Sequence, residues 1–157
     1  MRARFISLCL FLLSAAPALA QEPMTVLDQP HWRVGAVCVG LNQCGFCNAT
    51  DTAEDGVTLR VEPPKDVSIG LPEGWTVSTA MLTIGGERFT LTNPDGQGFA
   101  ATAADGSRVI QAMRREASLT LQLGQGDASR SDRYNLEAFA KAYAAMLKAC
   151  PGSKLLK

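Results

Sequence analysis

Cysteines carry the sharpest chemical signal in this 157-residue chain. Cys44-Gly45-Phe46-Cys47 has the C-x-x-C spacing of a dithiol redox centre, in which a helix N-terminus and a neighbouring sulfur lower one thiol pKa. Such a centre needs its first cysteine at the start of a helix that follows a strand. Asn48-Ala49-Thr50-Asp51 is a poor helix start, and no βαβ pattern surrounds it. The residues favour a structural staple. Cys38, Cys44, Cys47 and Cys150 could alternatively form a Cys₄ zinc cage, which requires reduced thiolates. His31 is the single histidine, so a Ser–His–Asp triad could be built only on it, and a Cys–His pair would need an unpaired cysteine. Asp51, Glu54 and Asp55 cluster in one segment, where a run of acids is ordinarily solvated. Gly85-Gly86 and Asp95-Gly96-Gln97-Gly98 lack the lysine pattern of a phosphate loop and read as turns. We assign no catalytic residue, no metal ligand and no cofactor from these patterns.

The compartment decides what the cysteines do. Arg2 and Arg4 precede an apolar run from Phe5 to Ala16, and Ala18-Leu19-Ala20 is a small-x-small cleavage site. This is the pattern of a Sec-type signal peptide, too short for a membrane span. Cleavage after Ala20 would leave a single domain over residues 21–157, in a bacterial periplasm or secreted. It would also remove Cys9 and leave four cysteines. An even number in an oxidising compartment implies two disulfides. In a eukaryotic host Asn48-Ala49-Thr50 would be a glycosylation acceptor. The chain has 15 basic and 15 acidic residues. Losing two arginines makes the remainder slightly acidic. Without a basic block, nucleic acid and anionic membrane are poor partners. No later segment is apolar enough to span a bilayer.

Loop-closure entropy favours a staple that reaches the C-terminus. A Cys44–Cys47 bond closes four residues and contributes about 2 kcal/mol, while Cys47–Cys150 closes about 100 and contributes roughly 4.7 kcal/mol. The inward phase of Cys150 on the last helix fits a partner in the N-terminal loop, and we favour Cys38–Cys44 with Cys47–Cys150. The other arrangement considered is Cys38–Cys150 with Cys44–Cys47, which would leave the C-x-x-C available for redox work.

The elements around these residues follow from periodicity. Residues 21–31 read as an irregular arm, and Trp32–Val39 as a first strand. The stretch from Cys38 to Gly56 reads as a loop. Val57, Leu59 and Val61 alternate cleanly on one strand face, ended by Pro63-Pro64. Residues 65–76 are a loop or short edge strand. Val77–Ile84, Gly85-Gly86 and Glu87–Thr92 form a hairpin signal. Asn93-Pro94-Asp95-Gly96 is a turn, and Phe99–Ala103 a short strand. A short helix spans about 107–115, with Asp105 or Ser107 as its cap and Val109, Ile110 and Met113 as its apolar stripe. Ser118–Leu123 is a strand and Gly124–Ser131 a loop, with a last strand at Asp132–Tyr134. A C-terminal helix spans about 136–150, capped by Asn135 and stopped by Pro151-Gly152. Its inward face is Leu136, Phe139, Ala140, Tyr143, Leu147 and Cys150. The fold class is α+β: an antiparallel, sandwich-like sheet core with two helices, stapled by disulfides.

From Val67 onward the order of motifs resembles the invasion-associated locus B family of small exported bacterial proteins. The residues that carry the likeness are Ile69-Gly70-Leu71-Pro72-Glu73-Gly74, Met81-Leu82-Thr83-Ile84-Gly85-Gly86, Gly98-Phe99-Ala100-Ala101, Ile110-Gln111-Ala112-Met113-Arg114-Arg115, and Tyr134 to Ala142. The resemblance implies this fold and export, and a host-interaction role in some members. It transfers no site residue. The cysteine pair that the family carries around residues 93–99 is absent here.

Trp32 reads as a core residue. Trp75 follows Pro72-Glu73-Gly74 and is either core or a loop-tip anchor of the kind enriched at interfaces. Loops 42–56, 65–76 and 93–98 are the candidate contact surface. Taken together, the expectation is an exported, non-enzymatic protein that binds another protein or a cell-envelope component. The alternatives are a periplasmic thiol–disulfide protein using Cys44 and Cys47, and an inhibitor of an extracellular enzyme.

Overall fold

The computed structural model describes residues 22–38, 44–93, 96 and 98–151. The expected signal peptide, and half of the expected turn at 93–96, lie outside them. The elements in chain order are β1 (Glu22–Gln29), β2 (Trp32–Cys38), β3 (Cys44–Thr52), β4 (Thr58–Glu62), β5 (Asp66–Gly70), β6 (Thr79–Ile84), β7 (Glu87–Leu91), β8 (Gly98–Ala100), α1 (Gly106–Met113), β9 (Ser118–Gln125), β10 (Ala128–Asn135) and α2 (Phe139–Ala149). The strands form two antiparallel sheets, one ordered β1-β2-β3-β4-β5-β8 and the other β10-β9-β6-β7. This is an α+β fold with two disulfides.

Rows of directly opposed residues build the core. Across the larger sheet, Val34 faces Ala49, Ala49 faces Val61 and Val61 faces Val67. The next row runs from Asp51 through Leu59 and Ile69 to Phe99. In the smaller sheet Leu82 stands between Phe89 and Leu121, and Ile84 opposes Leu119. All of these apolar side chains belong to a single buried cluster that also holds one face of each helix. Helix α2 lies over β1, β2 and β3, while α1 packs on β5 and β6. Two long-range hydrogen bonds tie the sheets together. Trp32 Nε1 donates to the Asn135 carbonyl at 2.8 Å, and Tyr134 Oη to the Val57 carbonyl at 3.1 Å.

Several expectations require correction. Residues 22–29 are a strand, not an irregular arm. They turn back into β2 through Pro30 and His31, whose φ of +71° suits the third position of a tight turn after proline. A bulge between Thr25 and Leu27 breaks the alternation that would have marked β1. Nine residues of the expected loop over 38–56 form β3. Its inward residues are Cys47, Ala49 and Asp51, all buried, and these small or polar side chains give no strand-like hydropathy. Strand β5 is interior, between β4 and β8, not an edge. The expected loop over 124–131 is a tight turn at Gly126-Asp127 that leads directly into β10. Gly126 has a φ of +57°, as a two-residue hairpin with glycine first requires.

The helices begin differently from expectation. Asp105 does precede α1, but its carboxylate makes no capping bond. It accepts from Thr102 Oγ1 at 2.8 Å and from Arg108 at 3.2 Å instead. Glycine at position 106 lets the first turn of α1 approach the Lys65 carbonyl, where a Cβ would collide with that oxygen. Asn135 sits before α2 rather than at its cap, and its Oδ1 accepts from the Glu137 amide at 2.8 Å. On α2, Ala140 is exposed and Leu147 only partly buried, while Ala142 and Met146 join Phe139 and Tyr143 inside.

Candidate functional site

The disulfides are Cys38–Cys44 and Cys47–Cys150, the pairing favoured from the sequence. Cys38–Cys44 joins β2 to β3 at directly opposed positions. Cys47–Cys150 joins the buried side of β3 to the end of α2 across a Cα–Cα distance of 6.1 Å. Cys44 and Cys47 lie three residues apart on one strand. They therefore point to opposite faces, with Cα atoms about 10 Å apart, too far for the bond a C-x-x-C redox centre forms. All four sulfurs are occupied, which removes the Cys₄ zinc cage. Among the described residues no group of three or more His, Cys, Asp or Glu side chains could hold a metal ion.

The acidic segment separates into three environments. Glu54 is exposed. Asp55 ion-pairs with Arg130. Asp51 points inward from β3 and is 7 % exposed. Burial raises its carboxyl from 3.8 to about 6, opposed by the charge of His31 and by the Thr52 backbone. The folded chain therefore holds this proton more tightly than the unfolded chain. The stabilisation is present in full below the unfolded pKa and is lost as the pH rises through about 6. That loss amounts to about 3 kcal/mol. Asp51→Asn is expected to raise stability above neutral pH by up to that amount, with little change near pH 4. Urea unfolding of both proteins across the acid range checks this. A difference between them that does not vary with pH would refute it.

Trp75 is the sequence-selected residue around which a cavity forms. The turn at Pro72 to Trp75, closed by the Trp75 amide on the Pro72 carbonyl, passes through Gly74 at a φ of +83°. The ring is half-buried against the β9–β10 hairpin. Arg130 places its guanidinium carbon 5.1 Å from the indole centroid, within cation–π range. Its position is fixed from the other side. Nε donates to both Asp132 oxygens at 3.0 Å, Nη2 to Asp132 Oδ1 at 2.7 Å, and Asp55 adds a second carboxylate. The Asp132 hydrogen bond raises the Arg130 pKa further, so this cation is permanent. A cavity of about 290 Å³ opens beside the pair, with Trp75, Val77 and Leu123 as apolar wall and Gln125, Ser129 and Arg130 as polar rim. An apolar wall with a few fixed polar groups is the composition of a binding site.

Sequence reasoning found Trp75 and missed Arg130, which stands 55 positions away in a segment read as loop. The available signal was weak. Arg130, Asp132 and Tyr134 alternate, which places them on one strand face.

The remaining candidates fall elsewhere. His31 sits on the β1–β2 turn and lines a polar cavity of about 310 Å³ with Asp28, Gln29, Arg33, Thr50 and Thr52. No serine or cysteine lines it. Trp32 is fully buried. Gly85 and Gly86 form the β6–β7 turn, both at positive φ. Of the three expected contact loops, residues 44–52 and 66–70 are strands, Gly74 and Trp75 line the cavity, and half of the third, 93–98, lies outside the described residues. No helix among the described residues is long and apolar enough to cross a membrane. Comparison with family models, curated proteins and solved structures finds no match to this chain.

Proposed function

We propose that this chain is an exported, non-enzymatic binding protein of the bacterial periplasm or cell envelope. It holds another protein or an envelope component at the cavity beside Trp75. The observation that carries the reading is the half-buried indole fixed under Arg130, with an open, mainly apolar cavity at its side. Aromatic and arginine side chains held in place by their neighbours contribute most at interfaces, because little freedom is lost when a partner docks. Two disulfides, an apolar leader sequence and the resemblance to invasion-associated locus B proteins support export.

The test is site-specific photo-crosslinking in the producing cell, with the reactive group at Gln125 on the cavity rim. A discrete adduct is expected, whose partner is then purified and titrated against the pure protein. Trp75→Ala is expected to weaken that binding by about 30-fold or more, the loss typical of an interface anchor. Failure to form an adduct, or unchanged binding by Trp75→Ala, would overturn the assignment.

A further inference from the structure

Among the described residues four strands lie at sheet edges, and two of them are protected by their form. β8 has three residues and β1 is bulged between Thr25 and Leu27, while β7 offers five residues. Shortness and bulges are how sheets avoid pairing with other chains. β10 is different: it runs for eight residues in unbroken register with β9. Its two-residue turn makes Gln125 and Ala128 a hydrogen-bonded pair, so the even-numbered residues of β10 bond to β9. The bond from the Leu136 amide to the Ala117 carbonyl continues that alternation. The backbone groups of Ser129, Ser131 and Arg133 therefore point away from the sheet. The next outward carbonyl, that of Asn135, is taken by Trp32 Nε1. The Arg133 side chain bends back to Ser118 Oγ at 3.0 Å and, among the described residues, the edge is clear.

This open stretch is centred on Ser131, which Arg130 and Asp132 flank with opposite charges. If two copies of β10 pair antiparallel about a two-fold axis through Ser131, every free backbone group finds a partner. Ser131 pairs with its own copy, and Ser129 pairs with Arg133. On the other strand face, the same register sets Arg130 of each copy opposite Asp132 of the other. Opposite charges directly across an antiparallel pair are favourable. Backbone and charge thus select one register independently.

We propose that β10 is a self-association edge, and that two copies of this chain join there into a continuous eight-stranded sheet. The axis is perpendicular to the sheet, so both Trp75 cavities open on the same side and the assembly presents two sites to a common surface. The inference stands whether or not the Trp75 cavity binds the partner proposed above.

Sedimentation velocity of the disulfide-bonded protein over a wide concentration range tests it. The wild type is expected to form dimers. Arg130→Asp and Asp132→Arg each set like charges opposite one another and are expected to be monomeric. An equimolar mixture of the two restores both pairings and is expected to form a heterodimer. Ser131→Lys, at an exposed position, sets two cations together on the axis and is expected to give a folded monomer by circular dichroism, so the test survives if a charge-reversal variant fails to fold. Ser131→Cys is expected to link covalently to its own copy, while Ser129→Cys links only when mixed with Arg133→Cys. A wild type that stays monomeric throughout overturns the proposal. So does a dimer that persists in the folded Ser131→Lys variant.

Discussion

Replacing Cys47 and Cys150 together by alanine is expected to remove about 4.7 kcal/mol of stability, the entropy of closing a loop of about 100 residues. The bond spans 103 positions and is the only covalent tie between the N-terminal sheet and the last helix among the described residues. Domains of this size are stable by about 5–15 kcal/mol, so the loss is a third or more of the total. Replacing Cys38 and Cys44 together is expected to cost about half as much, because that loop spans six positions. The two bonds also differ in access. Cys47 is 2 % exposed and Cys150 fully buried, whereas Cys38 and Cys44 are partly exposed. Graded reduction followed by alkylation and mass spectrometry is expected to open Cys38–Cys44 first, while the fold persists. Urea midpoints for the two double variants check the energies. Equal losses would mean that the denatured chain is already held compact around β3 and α2.

Phe139→Ala is expected to cost about 3–5 kcal/mol, the range for truncating a fully buried aromatic side chain. Phe139 opens α2 and is completely buried. Its ring centroid lies 4.7 Å from that of Trp32 and 5.8 Å from that of Tyr143. The cavity left behind would border Trp32, whose indole nitrogen binds the Asn135 carbonyl at 2.8 Å. Loss of packing there is therefore expected to loosen the link between β2 and β10 as well as the seat of α2. Near-ultraviolet circular dichroism reports the Trp32 environment, and urea unfolding reports the energy. Phe139→Leu refills most of the volume and is expected to recover the greater part of the loss. A loss below about 1 kcal/mol for alanine would mean that α2 contributes little to the core.

The parts of the fold legible in the sequence are those whose inward side chains are large and apolar. Val57, Leu59 and Val61, the paired glycines at 85 and 86, and the leucines at 119, 121 and 123 each mark their strand directly. The spacing of Phe139, Tyr143 and Cys150 marks α2 in the same way. Loop-closure entropy favours a staple to the C-terminus, and the inward phase of Cys150 directs it to the N-terminal segment. β1, β3 and β10 resist this reading because their inward residues are small or polar, or because a bulge shifts the phase. Cys47, Ala49 and Asp51 in β3, and Arg130 and Asp132 in β10, carry no apolar alternation.

The amino-acid order by itself determined the α+β class, the principal hairpin, the last helix and the favoured disulfide pairing, since each depends on local period or chain separation. Only the tertiary structure decided where β1 and β3 run, that β10 begins as early as Ala128, and that Trp75 meets Arg130. Hydropathy periodicity reports which side chains leave water, whereas the strands it misses are held by backbone hydrogen bonds that neighbouring strands supply. A pairing of that kind, like the contact between an indole and a guanidinium 55 positions apart, exists only once the sheets have assembled.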